Sequence, residues 1–352
     1  EGRFGGRNPS FLLRRFMSVF KTSAAYRPFL YSWAVEAAKK HSIDMHWHEN
    51  QIELQDDLRQ YNSKDGLKTK NVSHEVHKNI VDKVICLFTE MDKTVGEGYT
   101  KVLPFVKNNE IRNMMMTFAS REVIHQRSYA LLAETFGFSD SDWIAFADYA
   151  EMREKLDTMI DDYCVDGMRD EMKFCVGLAQ LLLGEGIGLF AAFTVLLNFK
   201  RQGMFVGFND VNSWSLKDEQ EHVINNIRTL KEAIKDLTEV EVILLMDIID
   251  GLVIRYEQAE HKFLDLVYEM GDQEDLVKED AKSYISYLSE LRRFQIGMIS
   301  ASEVRKNPLP WMEWMLTGAS HSNFFEKRVT DYSHTGLIGE INYNRYHNLL
   351  DQ

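Results

Sequence analysis

Cysteine is scarce in this chain: Cys86, Cys164 and Cys175 are the whole supply in 352 residues, and no Cys-x-x-Cys pair occurs. An odd, sparse set leaves structural or free thiols in a reducing compartment, so a cytoplasmic protein is expected. Proline is nearly as scarce. Pro9, Pro28, Pro104, Pro308 and Pro310 leave residues 105 to 307 with none. Proline disrupts helix interiors and strand ladders alike, so this gap alone does not choose between them. The shortage of alternating β-branched runs, the apolar spacing of three and four, and the long segments rich in Met, Leu, Ala, Glu and Lys choose helix. Basic charge is short as well: 41 Lys and Arg stand against 54 Asp and Glu, a net charge of −13. That argues against a nucleic-acid or anionic-membrane surface. No glycine-rich phosphate loop is evident. The polar, basic opening EGRFGGRNPS carries no secretory signal, and without an initiating Met the natural start is expected upstream. At 45% hydrophobic residues the chain can bury a sizeable core, as one large domain or two ordinary ones.

The stretch RNMMMTFASREVIHQRSYALL, Arg112 to Leu132, organises what is present. Glu122, His125 and Tyr129 fall on one helical stripe flanked by apolar and small residues. A carboxylate and an imidazole on a core-facing stripe need a partner, because burying a lone charge costs several kcal/mol. A metal ion satisfies both; a Glu–His pair on an exposed face is the plain alternative. A second copy, Glu219 and His222, lies in the helix read over 211–236. Between the copies, Phe174 to Phe199 is apolar enough to pass for a membrane span of about 20 residues. Glu185 near its middle and the amphipathic flanks favour the central helix of a bundle instead. Gly184, Gly186 and Gly188 lower helix propensity there and permit close approach or a local distortion. Upstream, Ser73 caps a helix through HEVHKNIVDKVICLFTEMDKTVGEGY, where Glu90 or Asp92 follows an apolar run.

The remaining segments read more plainly. Residues 1–30 form an irregular arm whose piece FLLRRFMSVFK is weighed as a membrane-surface helix and favoured as a packed arm. His46 and His48 flank Trp47, a spacing that does not make a metal site. HEVH lacks one residue of the zinc-protease HExxH, and its His74 and His77 are expected to be exposed at a helix start. Gly137 closes the organising helix. Helices are expected at about 238–269, with Glu257 and His261 on a solvated face, and at 273–299. Beyond KNPLPWMEWMLTG the periodicity fades into a polar tail.

One carboxylate from each of two helices and Glu-x-x-His from each of two others is the arrangement of ferritin-like dimetal carboxylate bundles. With YRPFLYSWAVEA, WHENQIELQDD, LFTEMDKTVGEGY, MMMTFASREVIHQRSYALL, GEGIGLFAAF, KDEQEH and NFFEKRVTDY, the chain resembles the small, radical-generating subunit of class I ribonucleotide reductase over roughly residues 26–335. The resemblance implies an all-α, ferritin-like bundle over residues 1–323 and a flexible tail over 324–352 that docks on a large subunit. It implies Asp92, Glu122, His125, Glu185, Glu219 and His222 as ligands of two metal ions, with two irons favoured and manganese–iron or two manganese ions left open. Tyr129 stands where the family bears its radical. Trp47, Asp218, Tyr332 and Glu326 would carry the oxidising equivalent toward the large subunit, where deoxyribonucleotides are made. Leu189 and Ser215 stand where many relatives place larger apolar residues, and a wetter pocket there would shorten radical lifetime. A homodimer is implied, and neither nucleic acid nor membrane is expected as a partner. A stand-alone dimetal oxidase acting on an apolar substrate and an iron-storage protein are the competing readings.

Overall fold

The computed structural model describes residues 18–22, 30–139, 141–142 and 148–315, apart from the side chains of Thr89, Glu90 and Asp92. Ten α-helices carry the architecture of this part. Helix α1, Ser32–Lys39, passes without a break into a π-helical turn at Lys40–Asp44. Then come α2, Gln55–Asn62, and the two long helices α3, His74–Val102, and α4, Asn109–Phe136. Helices α5, Ala150–Ile160, and α6, Asp170–Leu183, lead into a second π-helical turn, Gly184–Gly188. Helices α7, Phe190–Arg201, α8, Val206–Ala233, α9, Glu239–Val267, and α10, Lys278–Ile296, complete the set. Among the described residues the β structure is one isolated bridge, Gln273–Leu276.

The helix ends follow from local chemistry. Asn108 begins α4, its side-chain oxygen accepting from the backbone N–H groups of Glu110 and Ile111, each at 3.0 Å. Gly137 ends it at a φ of 83°, a left-handed conformation that suits a residue without Cβ. Helix α8 starts at Val206, five residues before the start read from the sequence, because its cap comes from another element. The Asp57 carboxylate of α2 accepts from the N–H groups of Phe208, at 2.6 Å, and Gly207, at 3.4 Å. A side chain at Gly207 would meet the carbonyl oxygen of Glu53, only 2.0 Å from an ideal Cβ. Phe205, just before the helix, holds a φ of 53°, costly for a side-chain-bearing residue, with its N–H on the Gln60 side-chain oxygen.

Helices α3, α4, α6 and α8 surround the centre, and α9 and α10 pack behind the second π-helical turn. The apolar segment of membrane-span length, Asp170–Arg201, holds an 18-residue stretch that is 94% buried inside the protein, and it is the core helix pair. Two surface expectations are corrected. His77 is buried, its Nδ1 2.6 Å from the Leu67 carbonyl and its ring edge-on to Phe199, because the loop before α3 folds back over the helix start. His74 is half-buried, and its Nδ1 accepts from the Leu67 N–H. Glu257 and His261 are half-buried against α10: the Ser286 hydroxyl donates to Glu257 at 2.5 Å, and His261 Nε2 lies 3.1 Å from the Lys282 carbonyl. Helix α10 begins at Lys278, not 273, since Gln273 to Leu276 forms the bridged turn.

Candidate metal centre

Both Glu-x-x-His motifs turn inward, α4 bringing Glu122 and His125 and α8 bringing Glu219 and His222. All four are fully buried. Glu122 reaches both imidazoles, with one oxygen 3.3 Å from His125 Nδ1 and the other 3.2 Å from His222 Nδ1. Glu219 does the same from the opposite helix, at 3.1 Å and 3.2 Å. Glu185 adds an oxygen 3.2 Å from His222 Nδ1. It sits on the π-helical turn at Gly184–Gly188, where one extra residue per turn swings the carboxylate out of the α-helical register. Ligand atoms of Glu122, Glu185, Glu219 and His222 lie within 4.8 Å of one another. Helix α3 packs along α4 and carries Asp92, whose side chain is outside the described residues.

A second ring of side chains holds the first. The Asp218 carboxylate lies 3.1 Å from His125 Nε2, accepts from Trp47 Nε1 at 2.8 Å and pairs with Arg121 at 3.2 Å. The Trp47 ring stacks on His125, with centroids 5.6 Å apart and planes 18° from parallel. Arg121 also donates to the carbonyls of Met45 and Trp47, which fixes the segment after α1. Tyr99 donates to Glu185 at 2.8 Å, and the Asn226 amide donates to both Tyr99 and Glu185 at 3.1 Å. On the far side of His222, Nε2 meets His41 Nε2 at 2.8 Å. One turn beyond His125, the Tyr129 hydroxyl donates to Asn212 at 2.8 Å, and its ring lies face to face with Phe88 at 4.4 Å.

The electrostatics are those of a cation site. Burial pushes the Glu185 carboxyl up to about 7, with Glu219 and Glu122 adding to the push and His222 opposing it. Burial disfavours a proton on His125, yet the Glu122 charge, the hydrogen bond to Asp218 and the nearby Glu219 carboxylate override it and hold the ring well above the usual histidine range. Glu185 and Glu219 do the same for His222. Glu219 falls below the usual carboxylate range despite burial, through His222 and His125. The buried negative charge thus favours proton binding at both imidazoles, and burial favours it at Glu185. Both Glu122 oxygens, Glu219 Oε1 and His125 Nδ1 still lack a hydrogen-bond partner. Unmatched buried acceptors converging on one space, with ring nitrogens among them, are what divalent cations take in exchange for protons. Mixed carboxylate and imidazole donors suit iron or manganese.

Comparison with known proteins decides the family. A family model for the small chain of ribonucleotide reductase matches residues 23–308. The chain belongs to the ribonucleotide reductase small-chain family. It is 27% identical over 331 residues to a ribonucleoside-diphosphate reductase small subunit of Invertebrate iridescent virus 3, covering 90% of this chain and 85% of the viral protein. It is 22% identical over 324 residues to the ribonucleoside-diphosphate reductase subunit beta of Chlamydia pneumoniae, covering 88% and 90%. Among solved structures, the R2 subunit from Clostridium botulinum matches with a TM-score of 0.66 at 19% identity over 81% of this chain and 88% of that one. A class I ribonucleotide reductase from Bacillus halodurans matches with a TM-score of 0.71, also at 19% identity, over 81% and 100%. The bundle therefore has the ferritin-like fold of these reductase small subunits, and the buried Glu/His cluster at its centre is a group of side chains able to hold metal.

The structure brings Glu122, His125, Glu185, Glu219 and His222 together, with Asp218 and Trp47 behind them and Tyr129 one turn along. Tyr332 and Glu326 lie outside the described residues, as does the tail from 324 to 352. His46 and His48 sit side by side, ring centroids 6.4 Å apart, and His46 Nδ1 lies 3.5 Å from the Arg121 guanidinium. Sequence reasoning missed His41, Tyr99, Arg121 and Asn226. Arg121 and Asn226 were detectable as polar residues beside or one turn from the motifs. His41 had no such signal, since a π-helical turn on a separate element delivers it.

Proposed function

We propose that Asp92, Glu122, His125, Glu185, Glu219 and His222 hold two metal ions, two irons by first choice, and that the chain thereby generates the oxidising equivalent used by a large reductase subunit to make deoxyribonucleotides. Bound there, a pair of redox-active ions supplies a one-electron oxidant. The observation that carries this reading is Glu122 and Glu219 each spanning both imidazoles, one oxygen apiece, inside a fully buried cluster. Two such carboxylates serve two adjacent cations better than one. Glu185, held by Tyr99 and Asn226, completes the side of His222.

Tyr129 is the side chain assigned to store the equivalent. Its hydroxyl has a fixed acceptor in Asn212, and its fully buried ring against Phe88 is shielded from solvent. Trp47 and Asp218 give the electron a continuous set of contacts away from His125: indole N–H to carboxylate, carboxylate to imidazole. The carboxylate orients the ring and raises its basicity. Tyr332 and Glu326 in the tail would pass the equivalent to the large subunit. Met116 and Val123 stand exposed on α4 and offer an apolar face for a homodimer. Free thiols at Cys86, Cys164 and Cys175 suit work in the cytoplasm.

The test is metal analysis of protein loaded anaerobically with Fe(II), followed by electron paramagnetic resonance after exposure to oxidant. Two metal ions per chain and a tyrosyl signal are expected. Fewer than two ions would defeat the site as assigned. Full metal content and signal in a chain truncated after Asn323, with no turnover beside a large subunit, is the expected result for the tail.

A further inference from the structure

His41 is buried, with 2% of its surface exposed, although it stands on a short helix away from either motif. The π-helical turn Lys40–Asp44 points it at the back of His222. Its ring lies 4.7 Å from the His222 ring at 69°, and Phe118 packs against both, edge-on to His41 at 5.0 Å and 4.5 Å from His222. Just outside, Lys40 pairs with Glu221 of α8 at 2.5 Å and ties the turn to the helix that carries His222.

The hydrogen-bond accounting leaves one arrangement. Two ring nitrogens 2.8 Å apart share a single proton, since two N–H groups facing each other would repel. His222 Nδ1 faces the carboxylates and must offer a lone pair to a metal, so its proton sits on Nε2 and points at His41. His41 Nε2 then accepts, and the His41 proton sits on Nδ1. That nitrogen faces Asp218 Oδ1 at 3.7 Å, and neither atom has another hydrogen-bond partner. A shift of under an ångström closes this contact into a hydrogen bond. The other Asp218 oxygen is already 3.1 Å from His125 Nε2.

We infer that His41 is a positioning residue of the metal site, accepting the Nε2 proton of His222 and joining both ligating imidazoles to the one carboxylate of Asp218. This rests on the reading of His222 as a ligand. The two halves of the site then share one anion: His125 bonds it directly, and His222 bonds it through a neutral imidazole. Partners of this kind set the tautomer and angle of the ligating ring, and their loss weakens metal binding by roughly 10- to 100-fold.

Two measurements test it. The first is two-bond proton–nitrogen correlation NMR on Zn(II)-loaded protein with 15N-labelled histidine, assigned with a His41→Gln sample. It should find His41 protonated on Nδ1; a proton on His41 Nε2 would overturn the inference. The second is Mn(II) binding by chelator competition. In His41→Leu one of the two ions should bind about 10- to 100-fold more weakly and the other near wild-type strength. His41→Gln, whose amide can still accept from His222 and donate toward Asp218, should restore most of the loss. Wild-type affinity at both sites in His41→Leu would overturn the inference, as would equal loss of both ions in the Leu and Gln variants. Wild-type protein that takes up fewer than two ions would remove the metal reading itself, and the role of His41 with it.

Discussion

The two Glu-x-x-His motifs are identical in spacing and unlike in surroundings. On α4, His125 backs onto an anion: Asp218, itself gripped by Trp47 and Arg121, with the indole stacked flat on the imidazole. On α8, His222 backs onto another imidazole and sits among Phe118, Tyr99 and Glu185. The first half of the site opens through conjugated and charged groups along the Trp47 route. The second is closed by aromatic edges and an amide. A repeated motif thus builds two unlike halves, one imidazole backed by an anion and an indole, the other by a second imidazole.

The strongest way to break this contrast is to remove a residue that both halves share. Glu122→Ala takes away an oxygen facing each imidazole and is expected to drop metal content from two ions per chain to below one; full occupancy by elemental analysis would show that Glu122 is not a shared ligand. Asp218→Asn acts first on the α4 half, where the carboxylate meets His125 directly, and reaches His222 only through His41. Turnover with a large subunit should fall roughly 10- to 100-fold, because the amide can present its N–H to His125 and lose the charge that orients the ring. Metal content should fall far less, and equal loss of both would erase the difference between the halves.

Acidity sharpens the α8 half. The Glu185 carboxyl is raised to about 7 by burial, so the metal-free protein gains from its neutral form below the ordinary carboxylate value of 4.5 and loses that gain as pH rises toward 7. Metal binding must displace this proton. The rise in melting temperature on adding Mn(II) should therefore grow between pH 5 and pH 7, and a flat or falling difference would contradict the assignment. The smallest effect on stability is expected at Tyr129. Tyr129→Phe removes the donor to Asn212 and should cost about 1–3 kcal/mol in denaturant unfolding while abolishing any tyrosyl radical signal. An unchanged signal would place the radical on another side chain.

Much of the site was legible because helical spacing is short-range. Glu122 with His125, Glu219 with His222 and the isolated Glu185 could be found by counting residues, and the glycines around Glu185 marked the place where the helix departs from α geometry. The surface was read less well. His77 was expected to be exposed because the loop that covers it carries no periodic signal, and the Glu257–His261 pair was expected to be solvated because its partner helix lies some twenty residues further along the chain.

Composition and periodicity alone were enough for an all-helical chain with a carboxylate–histidine core, since both express the preferences of single residues and of neighbours within a turn or two. Which ring nitrogen faces which oxygen, that Asp218 serves Trp47, Arg121 and His125 together, and that His41 reaches His222 across 181 positions came only from folding. Those contacts depend on how helices cross and where two π-helical turns shift the register. Residues far apart in the chain carry no mark of such meetings until burial brings them to hydrogen-bond distance.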